Sequence, residues 1–170
     1  IKEKHAGESG IVYTSSRAKA ETICAFLAAE GINCLCYHAG LSREQRELSQ
    51  TRFLHEKDAV IVATIAFGMG IDKADVRFVA HTSLPKSIEN YVQEIGRAGR
   101  DGQKAEAWLC FSGGDAFFQK KRIAESDAED WYKNISEVKQ DVMQGYAEST
   151  ECRRNLLLAY FGEETKEACG

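Results

Sequence analysis

The sequence predicts a doubly wound α/β domain with a mainly parallel sheet, followed by a helical appendage, and three observations carry that expectation. Short apolar runs alternate with segments of helical spacing over residues 1–113, the alternation that parallel strands and crossover helices produce. The run Ala59 to Ala63, Ala-Val-Ile-Val-Ala, has no polar alternation, as expected of a strand covered on both faces. From Gly114 onward strand patterning ceases and only helical spacing remains, which places the boundary between residues 1–113 and a helical region 114–170.

The elements follow in order. Gly10 to Thr14 reads as a short buried strand. Ala20, Ile23, Cys24, Leu27 and Ala28 then recur at helical spacing up to a stop at Gly31. Leu35 to Tyr37 is a second strand. Ser42-Arg43-Glu44-Gln45 has the form of a capping box, in which hydroxyl and carboxamide satisfy each other's backbone amides, opening a helix to about His55. Ala59 to Ala63 and Val76 to His81 are the next strands, Ser87 to Ile95 a helix and Ala105 to Phe111 a strand. Asp115 to Ala124, Ala128 to Ala147 and Thr150 to Phe161 read as helices.

With 170 residues, 44% hydrophobic and 28% charged, the chain suits one ordinary domain plus a modest appendage. No apolar run approaches the ~18 residues of a membrane span, and Ile1 to Gly10 lacks the apolar centre of a signal peptide. The expectation is a soluble intracellular piece of a longer polypeptide, since the stretch starts at Ile1 and stops on Cys169-Gly170. Net charge is −4, but residues 1–124 carry +2 and residues 125–170 carry −6. Phosphate contact must therefore come from local clusters and backbone amides rather than from a global field. In a chain without secretory features the six cysteines are expected to be reduced. Cys24, Cys34, Cys36 and Cys110 fall in apolar patterns and read as small buried hydrophobes.

Three local features bear on chemistry. Gly96-Arg97-Ala98-Gly99-Arg100-Asp101-Gly102 sets two arginines three apart among glycines, a spacing that puts both guanidiniums on one side of a helical turn, and planar guanidinium forks suit phosphate oxygens. A solvated basic turn explains the same residues equally well. Ala63 to Asp72 is a strand end entering an uncharged loop, in the region where doubly wound sheets bind ligands. There Thr64 offers a hydroxyl, Gly68 and Gly70 offer exposed backbone amides, and Asp72 can accept from a sugar hydroxyl or hold an arginine. An ordinary flexible loop accounts for the pattern nearly as well. Tyr13-Thr14-Ser15-Ser16-Arg17 enters a helix with hydroxyls and amides suited to phosphate, or simply with a cap. His38 has neither a paired nucleophile nor metal spacing and reads as a hydrogen-bonding histidine. No Gly-x-x-x-x-Gly-Lys-Ser/Thr loop and no acidic pair at a strand end is present, so tight binding of a nucleoside triphosphate by this stretch alone is not expected.

In order, YTSSR at 13–17, YHAGLS at 37–42, VATIAFGMGIDKADVRFVAH at 62–81 and PKSIENYVQEIGRAGRDG at 85–102 resemble the second RecA-like motor domain, of P-loop NTPase type, of RecQ-family DNA helicases. CRRNLLLAYFGEETKEACG at 152–170 resembles the start of that family's zinc-binding subdomain. The resemblance implies an ATP-dependent motor running 3′ to 5′ on DNA, with ATP and Mg2+ held between two RecA-like domains. The first domain, on the same polypeptide, would supply the phosphate loop and catalytic base. Arg97 and Arg100 would reach the γ-phosphate, Arg100 as arginine finger, with Gly70, Asp72 and Gln93 completing this half of the nucleotide site. Thr14, Ser15, Arg17, His38 and Thr64 would line the single-strand track. Cys152 and Cys169 would supply half of a Zn2+ site whose other cysteines follow a Cys-Gly pair in the family.

Implied partners are single-stranded DNA and duplex junctions, with single-strand-binding or repair proteins, in a bacterial cytoplasm or nucleoid or a eukaryotic nucleus, and no membrane. The family's usual proline after the lysine at position 73 is Ala74 here, and a usual tyrosine before the Gln93-Glu94 pair is Val92; both read as packing changes. Two other readings remain: a non-hydrolysing nucleic-acid or protein-binding module on the same fold, and an RNA-directed superfamily 2 helicase. The intact arginine pair speaks against the first and the zinc-type tail against the second.

Overall fold

The computed structural model describes residues 1–65, 67–68 and 71–163. Five strands form one parallel sheet: β1 (Gly10–Tyr13), β2 (Cys34–Tyr37), β3 (Val60–Ala63), β4 (Phe78–His81) and β5 (Glu106–Leu109), in the order β2-β3-β1-β4-β5. The helices are α1 (Arg17–Ala29), α2 (Arg43–His55), α3 (Ile88–Ile95), α4 (Gly113–Ala124), α5 (Asp130–Glu148) and α6 (Arg153–Tyr160). The chain divides into two compact units, one of Ile1–Ser83 with Val92–Phe111, the other of Leu84–Tyr91 with the chain from Ser112.

Within the sheet-bearing unit, alternate residues of each strand enter different layers, as the two-residue side-chain period requires. Ile11, Tyr13, Leu35, Ile61, Ala63 and Val79 pack with Phe53 of α2 and with Phe67 and Val76. Val12, Val60, Val62 and Phe78 pack with Ala20 and Leu27 of α1. Both faces of the three central strands are thus dry, which explains why β1 and β3 are buried throughout. Gly10 makes room for one of the largest core side chains: a Cβ there would lie 2.0 Å from the ring of Phe78.

The helix boundaries follow local chemistry. Ser16 caps α1 by accepting from the amide of Lys19, and Gly31, at φ 78°, receives the chain beyond the helix. The expected capping box of α2 is present, with Ser42 Oγ accepting from the Gln45 amide at 3.2 Å and Gln45 Oε1 from the Ser42 amide at 3.0 Å. The Asn90 amide donates to Ser87 Oγ at 3.2 Å at the start of α3. A second box, Ser112 with Asp115, opens α4.

The segment from Ala63 to Asp72, expected as a loop, contains no helix among its described residues. One expectation changes. Cys110 is exposed, since β5 is an edge strand that turns Ala107 and Trp108 outward.

In the second unit, α4 packs with α5, Tyr91 meets Tyr146 with ring centroids 5.5 Å apart, and Lys139 Nζ reaches Glu89 at 2.9 Å. The Arg153 guanidinium lies 5.3 Å over the Tyr146 ring and donates to that residue's carbonyl. Among the described residues no helix is long and apolar enough to cross a membrane.

Candidate nucleotide and nucleic-acid edge

Parallel pairing in register brings Tyr37, Ala63, Tyr13 and His81 into one row at the carboxyl ends of four strands. His38, Thr64, Thr14 and Thr82 therefore leave the sheet along one edge. The Thr64 amide donates to the Tyr37 carbonyl at 3.2 Å, that of Thr14 to Ala63 at 2.9 Å, and that of Thr82 to Tyr13 at 3.0 Å. Lys19 Nζ donates to the Thr82 carbonyl at 2.8 Å. Of the five residues that the family resemblance groups, Thr14, His38 and Thr64 follow the aligned strand ends directly, and Ser15 and Arg17 follow Thr14 in the chain.

Their exposure differs. Ser15 and Arg17 are exposed, Thr64 is half-buried, and Thr14 and His38 are buried. Thr14 Oγ1 is occupied locally, donating to the Ser16 carbonyl at 3.0 Å and accepting from the Ser16 amide at 3.3 Å. His38 Nδ1 accepts from the Gly40 amide at 3.2 Å, so in the neutral ring the proton sits on Nε2, which faces Glu21 at 3.1 Å. A Cβ on Gly40 would stand 3.1 Å from Arg17 Cδ and 3.2 Å from His38 Nδ1. Gly40 thus seats Arg17 beside His38, with Arg17 an exposed cation on this edge.

The loop after β3 holds both motif arginines. Tyr13, buried in β1, donates its hydroxyl to the Phe67 carbonyl at 3.3 Å. Arg97 Nη1 donates to the next carbonyl, that of Gly68. Arg100 Nη1 donates to the Ile71 carbonyl at 3.1 Å and to Asp72 Oδ1 at 3.3 Å, and its Nε to the Gly96 carbonyl at 3.3 Å. The arginines lie beyond the end of α3, where Gly99 at φ 66° sends its amide to Val76. They share one loop rather than one helical face, because the glycines at 96 and 99 end the helix between them and Ile95.

Gly68 is buried against Arg97 instead of presenting a free amide: a Cβ there would be 2.5 Å from Arg97 Cζ. Arg97 Nε, itself buried, has no hydrogen-bond acceptor among the described residues. Gln93 on α3 and Asp72 are exposed. Gly70 lies outside the described residues.

Beneath the arginines sits a polar group that sequence reasoning missed. His81 Nε2 meets Glu94 Oε2 at 2.7 Å, with both side chains buried, and the His81 ring stacks on Tyr13 at 5.3 Å. Burial pushes the Tyr13 phenol well above its ordinary value; the positive charge of Arg97 pulls it down and the negative charge of Glu94 pushes it up. The available signal was a histidine ending a buried strand and a glutamate in the half-apolar helix before Gly96, polar groups that a plain packing position would not carry.

Cys152 stands at the N-terminal cap of α6, half-buried and outside any disulfide, while Cys169 lies outside the described residues. Among the described residues no group of three or more His, Cys, Asp or Glu is arranged to hold a metal ion. Cys152 is chemically suited to be one zinc ligand, and one thiolate is not a site.

Comparison with known proteins agrees with this geometry. The family described as the helicase conserved C-terminal domain matches residues 1–102, and the RecQ zinc-binding family matches residues 113–170. A parallel sheet with two arginines beyond α3 bonded to the loop after β3, matched in this way, defines the C-terminal domain of a helicase. Over 163 residues the chain is 47% identical to the ATP-dependent DNA helicase RecQ of Pasteurella multocida, covering 96% of this chain and 26% of that protein. It is 41% identical over 169 residues to an Acanthamoeba polyphaga mimivirus protein, named provisionally as an ATP-dependent RNA helicase, covering 99% of this chain and 31% of that one. A solved structure of domain 2 of the DEAD-box helicase Mss116p, bound to an RNA duplex, superposes with a TM-score of 0.61 at 16% identity, covering 95% of this chain and 70% of that one, a likeness of fold. The chain belongs to the RecQ family of helicases, of which it holds the helicase C-terminal domain and the region matching the zinc-binding family.

Proposed function

We propose that this chain is the second motor lobe of an ATP-dependent DNA helicase that moves 3′ to 5′, acting in repair and recombination. The observation that carries the reading is the seating of Arg97 and Arg100 on one loop, at Gly68 and at Ile71 with Asp72. Two guanidiniums held by hydrogen bonds against one loop are suited to neutralise charge on a phosphoryl group, and pre-positioned donors of this kind need little reorganisation at the moment of transfer. Arg100, the more exposed, takes the finger role. Its bonds to a carbonyl and to the exposed Asp72 can be exchanged for phosphate oxygens. Arg97, half-buried, steadies the loop. Gly70, Asp72 and Gln93 complete this side of the nucleotide site, and the triphosphate with its Mg2+ is delivered by the first RecA-like domain.

Thr14, Ser15, Arg17, His38 and Thr64 form the edge for single-stranded DNA. Contacts of this kind go to phosphates, so binding tolerates sequence and weakens with salt. Domain closure and opening would change the two lobes' grip alternately and move the strand. Cys152, with Cys169, belongs to a Zn2+ site; bound zinc would supply structural cross-linking there. DNA junctions, single-strand-binding and repair proteins are the partners, in a bacterial nucleoid or a eukaryotic nucleus.

An RNA-directed motor is the second reading, favoured by the 41% identity to a protein named for RNA. Phosphate contacts serve either polymer. Unwinding of matched DNA and RNA duplexes by the intact protein tests the proposal: DNA unwinding with a 3′ overhang supports it, and RNA-only unwinding overturns it. Absence of any hydrolysis would favour the binding-module alternative.

A further inference from the structure

Three cysteines converge away from the nucleotide edge. Cys34 and Cys36, two apart on β2, point to the same layer, and Cys24 of α1 packs into that layer from the helix side. All three are half-buried. The Cys24 thiol is within hydrogen-bonding reach of both Cys34 and Cys36. β2 is an edge strand of the sheet, so this layer ends at solvent instead of continuing under another strand.

We propose that Cys24 and Cys34 form a peroxide-sensitive dithiol site that closes to a disulfide tying α1 to β2. The inference is independent of the helicase reading. The thiols are unequal: hydrogen bonding from Cys34 holds the Cys24 thiol below its ordinary range, while the same contact and burial push Cys34 up. Burial first, then the neighbouring charges, raises Cys36 to about 11. Cys24 is therefore the attacking sulfur and Cys34 the resolving one.

The Cys24 thiolate attacks one oxygen of hydrogen peroxide, the O–O bond breaks, and the departing hydroxide takes a proton from solvent to leave as water. The sulfenic acid so formed is attacked by Cys34 sulfur, whose proton joins the displaced hydroxide as a second water. Two thiols lose two electrons and one peroxide gains them. Because Glu21, one turn before Cys24, reaches His38 at 3.1 Å just past β2, the new bond would lie behind that contact and restrain it.

The three cysteines share one tryptic peptide, residues 20–43, and cleavage after Glu30 separates Cys24 from the other two. The experiment treats the reduced intact protein with equimolar hydrogen peroxide, blocks free thiols with iodoacetamide, and digests with trypsin and a glutamate-specific protease. Peptides 22–30 and 31–43 should be recovered joined and be separated by dithiothreitol. The joint should survive Cys36→Ser and vanish in Cys34→Ser, where dimedone should trap Cys24 sulfenic acid. Before oxidation, Cys24 should alkylate about tenfold faster than Cys34 at neutral pH. Failure to join the peptides in the wild-type protein, or a joint that persists in Cys34→Ser, overturns the assignment.

Discussion

Arg97 and Gly68 fit as a side chain and its seat: the guanidinium donates to the Gly68 carbonyl and occupies the space a Cβ would need. The preceding carbonyl, of Phe67, is held by Tyr13 from the central strand. Two donors from separate elements thus fix consecutive carbonyls, and the loop's glycine is a steric requirement, reinforced by its φ of 141°.

Gly68→Ala should consequently displace Arg97. The added methyl meets a guanidinium and adopts an unfavourable backbone, a combined cost of about 1–3 kcal/mol. Urea unfolding should register the loss, and if Arg97 has the proposed role, DNA-stimulated ATP hydrolysis by the intact protein should fall as it does in Arg97→Ala.

Arg100→Ala in the intact protein should lower DNA-stimulated hydrolysis by about 10³-fold or more, the range for removal of an arginine finger, with ATP binding retained. Equilibrium binding of a fluorescent nucleotide beside steady-state turnover checks both halves. Near wild-type turnover would remove Arg100 from the mechanism.

Glu94→Ala should destabilise the sheet-bearing unit by about 1–3 kcal/mol, because the buried 2.7 Å hydrogen bond at His81 Nε2 is lost. Glu94→Gln, which keeps an acceptor oxygen for Nε2–H, should recover most of this. Chemical denaturation of both variants provides the comparison; equal losses would mean that charge rather than the hydrogen bond matters.

The second unit should lose stability in acid through Glu89. A hydrogen bond from Ser87, then that from Lys139, lowers its carboxyl from 4.5 to about 2. A depressed folded value means the contribution is complete above pH 4.5 and fades as pH falls toward 2. Lys139→Met should raise the carboxyl's titration midpoint and weaken the acid dependence, readable by carbon NMR of the Glu89 side chain. An unchanged midpoint would contradict the assigned partner.

Much of this architecture was legible in the residues. The capping box at Ser42 and Gln45, the dry run through β3 and the stop at Gly31 are local signals, and the structure contains each of them. The grouping of Thr14, His38 and Thr64 was implied by the family resemblance, and the parallel register, which aligns the strands' carboxyl ends, puts the three along one edge. The pairing of His81 with Glu94 could not be anticipated, since 13 residues and a change of element separate them and only the β4–α3 packing brings them together. Nor could the grouping of Leu84–Tyr91 with the later helices, which depends on Tyr91 meeting Tyr146.

The strict parity of β1 has a consequence for how this gene can change. Val12 belongs to one layer and Tyr13 to the other, so deletion of a single codon between Gly10 and Tyr13 would exchange the two sides, driving the phenol under α1 and pulling its hydroxyl off the Phe67 carbonyl. Length variation should accordingly be purged from the central strands and accumulate in surface turns such as the one after α1.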